Sequence, residues 1–172
     1  MQFFDRAGVA GFFGGKNRGP SPEAMDKEFH DEGFYQTQFA IPEEAGKLLC
    51  LCRHLFRQER TSAWTMIIAE SPGIWPSWED KNLYRMMRQA RSLPIDMAFG
   101  DGHLFDNSEI EDMISFSYIF ANFRYDFRIV DADREIHAFF SHDDFFFIQV
   151  AEKFGQALAE ILDFTREWPE KK

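Results

Sequence analysis

Apolar positions recur along this chain at two periods, and the period at each stretch predicts the element. After Pro42, the residues Ala45, Leu48, Leu49, Cys52 and Leu55 or Phe56 return every three or four positions, which gathers them on one helical face. Leu83, Met86, Met87 and Ala90 form a second such stripe, with Ser77 at its N-cap and Pro94 beyond its end. Ser108-Glu109-Ile110-Glu111 reads as a capping box ahead of Ile110, Met113, Ile114, Ser117 and Phe120. Ser21-Pro22-Glu23 predicts the start of a short helix running to about His30. "FYQTQFAI" (34–41) and "SAWTMIIA" (62–69) are β-rich runs, the second suited to a central strand. "IDMAFGDGHLFDN" (95–107) fits no single period and predicts one short strand at most. "DFRIVDA" and "REIHAFFS" flank Asp131–Arg134 as a hairpin, and Phe147, Val150, Ala151, Phe154, Leu158 and Ile161 predict a C-terminal helix.

Strands alternating with helices, then a hairpin and a helix, predict an α/β or α+β fold. The expected architecture is a single domain with one mixed sheet of about four or five strands, packed by about four or five helices. Residues 1–20 are Gly-rich and aperiodic, so they are expected to be a mobile arm. Residues 21–165 would form the globular domain and 166–172 a frayed tail. A length of 172 residues suits one domain.

Composition changes this picture in two ways. The 21 phenylalanines lift the aromatic share to 17%, which demands a large aromatic core and leaves some rings for a partner surface. The net charge of −10 repels phosphate backbones, so nucleic acid is excluded as a nonspecific partner and a basic protein is favoured. Local positive groups, such as Arg53, Arg57 and Arg60 or Lys81, Arg85, Arg88 and Arg91, read as solvated helix faces. No window approaches 18 apolar residues and no signal-peptide pattern opens the chain, so no membrane partner and a cytoplasmic location are expected. Cys50 and Cys52 point apart on a helix and read as reduced core residues rather than a disulfide.

Candidate chemistry centres on a few loops. In Ser141-His142-Asp143-Asp144, the serine and histidine are adjacent and face opposite ways on a strand, which excludes a Ser–His nucleophile pair. Ser141 or Asp143 reads as the N-cap of the last helix, with both aspartates in its first turn. "AGFFGGKN" imitates a phosphate loop but lacks the hydroxyl residue after Lys16 and a preceding strand. Asp101, His103 and Asp106, if brought to His142 and Asp143, would make a metal or hydrolytic site. Cys50 and His54, four apart on one face, read as core before they read as ligands. Trp75, Trp78 and Tyr84 surround Pro76 and are candidate interface anchors.

Three segments, Gly73–Ser77 (GIWPS), Gly102–Phe105 (GHLF) and Ser141–Asp144 (SHDD), together resemble an uncharacterised family of small bacterial proteins with these segments in this order. The family has no assigned activity, so the resemblance implies only that Trp75, His103 and His142 share a surface or core. The leading expectation is a non-enzymatic, acidic protein-binding module with no cofactor and no metal. An immunity-type inhibitor of a basic toxin is one form of it. Its interaction surface would carry Trp75, Trp78, Tyr84, Asp101, His103, Asp106, His142 and Asp144. The alternative is a small hydrolase or metal-dependent enzyme using His103, His142 and Asp143. Segments 73–78, 102–106 and 141–144 are expected to meet at one end of the sheet.

Overall fold

The computed structural model describes residues 1–13, 34–57, 63–71, 78–93, 100–132 and 136–151. Their elements run β1 (Gln2–Phe4), α1 (Arg6–Phe13), β2 (Phe34–Ala40), α2 (Ala45–Arg57), β3 (Trp64–Ser71) and α3 (Trp78–Ala90). There follow β4 (Asp101–Asp106), a 3-10 turn (Asn107–Glu109), α4 (Ile110–Asn122), β5 (Asp126–Asp131), β6 (Ile136–Phe140) and β7 (Phe145–Ala151). The strands make one seven-stranded sheet in the order β1-β4-β3-β5-β6-β7-β2. Every neighbouring pair is antiparallel. The fold is therefore α+β, and the expected mixed sheet is corrected to an antiparallel one. The expected hairpin is present as β5 and β6, and it continues directly into β7.

Two further expectations give way. Residues 145–151 are strand, not the start of a C-terminal helix. Phe146 and Ile148 alternate into the core while Phe145 and Phe147 are half-buried, a period of two that overrides the helical spacing. The first thirteen residues are no free arm. Gln2–Phe4 pair with Gly102–Leu104, and Val9, Phe12 and Phe13 bury against Met66, Ile68 and Val130. The remainder of the expected arm, the helix near 21–30, the Ser77 cap and residues 152–172 lie outside the described residues.

The two faces of the sheet are covered differently. On one, α2 and α4 pack on each other, and Leu48, Leu51, Leu55, Phe56, Met113, Phe116 and Phe120 meet Ile67, Phe105, Phe127, Ile129, Phe140 and Ile148. Here the phenylalanine surplus is used: Phe127, Phe140 and Phe146 are cross-strand neighbours, with ring centroids 4.3 and 4.2 Å apart along the row. Aromatic cross-strand pairs stabilise a sheet by about 0.2–1 kcal/mol each. On the other face α1 lies over β4 and β3. It comes so close that a Cβ on Gly102 would stand 2.6 Å from a Val9 methyl and 3.1 Å from Met66 Sδ. Gly102 is the residue that lets this helix dock.

Candidate functional site

The α3 helix presents a different face to the core than its apolar stripe predicts. Tyr84 and Arg88, one turn apart, are buried, while Leu83 is 40% exposed and Met86 65% exposed. Tyr84 packs on Phe116 and Phe120 of α4, which sets the helix rotation. Arg88, expected on a solvated face, is wholly buried. Its Nη1–H donates to the Tyr84 hydroxyl at 2.8 Å and lies 3.6 Å from Asp101 Oδ2. The Phe3 ring of β1 covers its guanidinium, with the ring centroid 4.3 Å from Cζ.

The Tyr84 hydroxyl is in turn 3.0 Å from His103 Nε2. That oxygen accepts from Arg88, which leaves its own proton able to donate to Nε2 when the imidazole carries its proton on Nδ1. His103 is fully buried. Burial, followed by the neighbouring Arg88 charge, holds its pKa down at about 3, with the Ile67 carbonyl pulling weakly the other way. Burial also raises the Tyr84 hydroxyl pKa, more than the nearby Arg88 charge lowers it. The cluster is thus a neutral histidine and a neutral phenol braced by a buried arginine. Neither the His103 imidazole nor the Tyr84 hydroxyl changes charge near neutral pH.

His142 sits in a different setting. Ser141–Asp144 form the tight turn between β6 and β7: the Ser141 N–H donates to the Phe145 carbonyl at 2.9 Å, and the Asp144 N–H to the Ser141 carbonyl at 3.2 Å. Asp144 has φ 65°, the left-handed residue that a three-residue hairpin loop requires. The expected helix cap is therefore corrected. Ser141 is buried, and its Oγ accepts from the Asp143 N–H at 3.2 Å inside the turn. The His142 backbone N–H and Nδ1 both contact Asp126, at 2.7 Å and at 2.8 and 2.9 Å. Its Nε2 lies 3.5 Å from Asp143 Oδ1. The hydrogen bond to Asp126 raises the His142 pKa above its usual 6.5. Carboxylates on both sides of the ring favour the imidazolium, which suits a charge-holding strut better than a proton acceptor. Arg124 Nε reaches Asp144 Oδ1 at 2.8 Å and ties the same turn to the end of α4.

The two centres do not meet. His103 aligns across the strands with Ile67, Ile129 and Ala138, and His142 lies three strands over and four residues further along. Strand spacing and rise put them roughly 20 Å apart. Gly102–Phe105 is strand rather than loop, so the segment's side chains are committed to the two faces of the sheet. Of the expected surface residues, Tyr84, Asp101 and His103 are buried and cannot face a partner. Asp106, Asp143 and Asp144 are exposed and His142 is half-buried. Trp75 lies outside the described residues, and Trp78 opens α3. Asp106 accepts from the Ser108 N–H at 2.8 Å, and its own N–H donates to Glu109 at 3.1 Å, so the capping box begins two residues before the serine expected to start it. That hydrogen bonding lowers the Asp106 pKa.

Arg88 and Asp126 were missed. For Arg88 the available signal was its spacing of four from Tyr84, which places the pair on one helical side. For Asp126, at the start of β5, there was none, because its partner lies sixteen residues away in the β6–β7 turn. Cys50 and Cys52 are free, and burial raises the Cys52 thiol pKa. Among the described residues no three His, Cys, Asp or Glu side chains are grouped to hold a metal, and no helix is long and apolar enough to cross a membrane. Fold and site together define an α+β domain with an antiparallel sheet, a buried Arg–Tyr–His brace and a carboxylate-clasped histidine at one turn. No family model, curated protein or solved structure matches the chain.

Proposed function

We propose that the chain is an acidic protein-binding module that engages its partner through the outer face of α3. The observation that carries this reading is the pair Leu83 and Met86, one turn apart and 40% and 65% exposed, on a helix whose opposite side is anchored by Tyr84 and Arg88. A rigid helix offering aliphatic side chains to solvent has the form of a helix-face docking element. Arg91, at the end of this helix, pairs with Asp112 and so ties α3 to the first turn of α4. Exposed Asp106 and Glu111 stand at that start of α4. With a net charge of −10, these carboxylates support a basic partner steered in by charge. An immunity-type inhibitor masking a basic toxin is the form that this size and charge favour. The hydrolase alternative loses its shared site, because His103 is buried and far from His142.

Capture on the immobilised full chain at low salt tests the reading, compared with a Leu83→Asp/Met86→Asp variant. The expected result is a basic protein retained by the parent, released as salt rises and lost by the variant. Equal retention by both, or an acidic partner held regardless of salt, overturns it.

A further inference from the structure

Among the described residues two strands end the sheet, and they differ in how they end it. β1 has three residues and is followed at once by α1. β2 has seven, in unbroken register with β7 from Phe34↔Ala151 to Ala40↔Phe145. Proteins that stay monomeric blunt a sheet edge with lysine, proline, a bulge or a very short strand. "FYQTQFA" has no charged residue, no proline and no glycine, in a chain of net charge −10. Gln38 and Ala40 are exposed.

The direction of the backbone groups follows from the ladder. The Ile41 N–H donates to the Asp144 carbonyl at 2.9 Å. In an antiparallel pair such groups alternate, so residues 35, 37 and 39 also turn their N–H and C=O toward β7. Phe34, Gln36, Gln38 and Ala40 turn theirs away from β7, toward the side of β2 that no other described strand occupies.

The sequence of this edge is close to symmetric about Thr37: Gln36 and Gln38 flank it, then Tyr35 and Phe39. A two-fold axis through residue 37 sets residue 37 − k of one copy opposite residue 37 + k of the other, and this sequence makes the two inner pairs like on like. We propose that β2 is a homodimer edge, at which two copies of this chain pair antiparallel about Thr37 into one continuous sheet. In that register Gln36 faces Gln38 of the second copy and Phe34 faces Ala40. These are the residues whose backbone groups point outward, so the pairs exchange about eight hydrogen bonds in all. Thr37 stands opposite its own symmetry mate and Tyr35 opposite Phe39, at the positions that exchange no backbone hydrogen bonds. No like charges oppose each other across the seam. The repulsion that remains comes from the rest of each acidic copy, and salt screens it.

Sedimentation equilibrium of the full chain over a concentration series tests this. The expected result is a reversible shift from one copy to two that strengthens as salt rises, opposite to the salt response of a basic partner. Gln36→Lys with Gln38→Lys sets like charges across both central pairs and is expected to leave a monomer with unchanged circular dichroism. Gln36→Lys with Gln38→Glu sets opposite charges across the same pairs and is expected to restore the dimer. Should the lysine variant misfold, Gln38→Pro removes one outward N–H that β7 does not use, and monomer is again expected. A wild-type chain that is monomeric at every concentration overturns the proposal, as does a dimer indifferent to the lysine and proline variants.

Discussion

His103 and His142 each bring an imidazole nitrogen within about 3 Å of an oxygen, the ordinary hydrogen-bond range, yet they answer to protons in opposite directions. His103 meets a phenol and an arginine in a fully buried position, so its charged form is penalised by burial and by a like charge. His142 meets carboxylates on both sides at the surface, so its charged form is favoured. The neighbours and their wetness, rather than the residue type, decide whether a histidine in this fold is a neutral brace or a charge-bearing strut. Both are built on short, tightly held backbone, β4 in one case and the β6–β7 turn in the other.

The contrast breaks most sharply at Arg88. Arg88→Ala removes the guanidinium from beside Asp101 and the donor to Tyr84, and is expected to cost about 3–5 kcal/mol, as breaking a buried pair does. Urea denaturation at neutral pH measures it; a loss under about 1 kcal/mol would mean that the buried charge is not bracing the cluster. Tyr84→Phe is a smaller cut. It leaves Arg88 Nη1 and His103 Nε2 facing each other without the hydroxyl, for an expected loss of about 1–3 kcal/mol. A variant as stable as the parent would show that the phenol does not link the two.

Proton titration sharpens the comparison at the smallest scale. A folded pKa of about 3 for His103 means that its contribution is present above 6.5 and is lost as pH falls from there toward 3. The slope over that window is about 1.4 kcal/mol per pH unit, and His103→Gln should flatten it in urea melts taken at several pH values. The raised pKa of His142 has the opposite sign. Its contribution is present below 6.5 and is lost as pH rises through the higher folded value. In NMR titrations, one imidazole should titrate above 6.5 while another stays unprotonated to pH 5. Two histidines at these positions titrating together near 6.5 would erase the distinction.

How far the sequence carried depended on where each constraint lay. Elements governed by their own local pattern were legible: the α2 stripe, the β3 run and the β5–β6 hairpin all appear where their periodicity put them. β7 was misread because Phe145–Val150 is apolar at nearly every position, and such a run satisfies a helical and a strand period alike. Only the tight Ser141–Asp144 turn, which lays it against β6, decides between them. α3 was found as a helix, but its buried side was assigned to Leu83 and Met86. An arginine can take the inward place when a phenol, a carboxylate and an aromatic ring are waiting for it, and those come from α3, β4 and β1 together. His103 and Asp101 were singled out for good chemical reasons, yet nothing local reveals that a Gly-bounded segment will be a central strand. The N-terminal residues were lost for a similar cause. Gly8, Gly11 and the paired phenylalanines weaken a helical signal that becomes favourable only when Phe12 and Phe13 find Trp64 and Met66.

The strand order also sets a timetable for folding. β1 pairs with β4 and β2 with β7, so the two earliest described strands occupy the two outer positions of the described sheet and must wait for partners made about a hundred residues later. The centre, β3 to β7, is joined by two helical connections and two hairpin turns and can assemble from near neighbours. Closing both edges requires the longest-range strand pairings among the described residues, the kind of contact that slows folding. Until then, the aromatic segment 2–13 and the uncharged strand β2 stay unpaired, which makes this interval the one most open to aggregation.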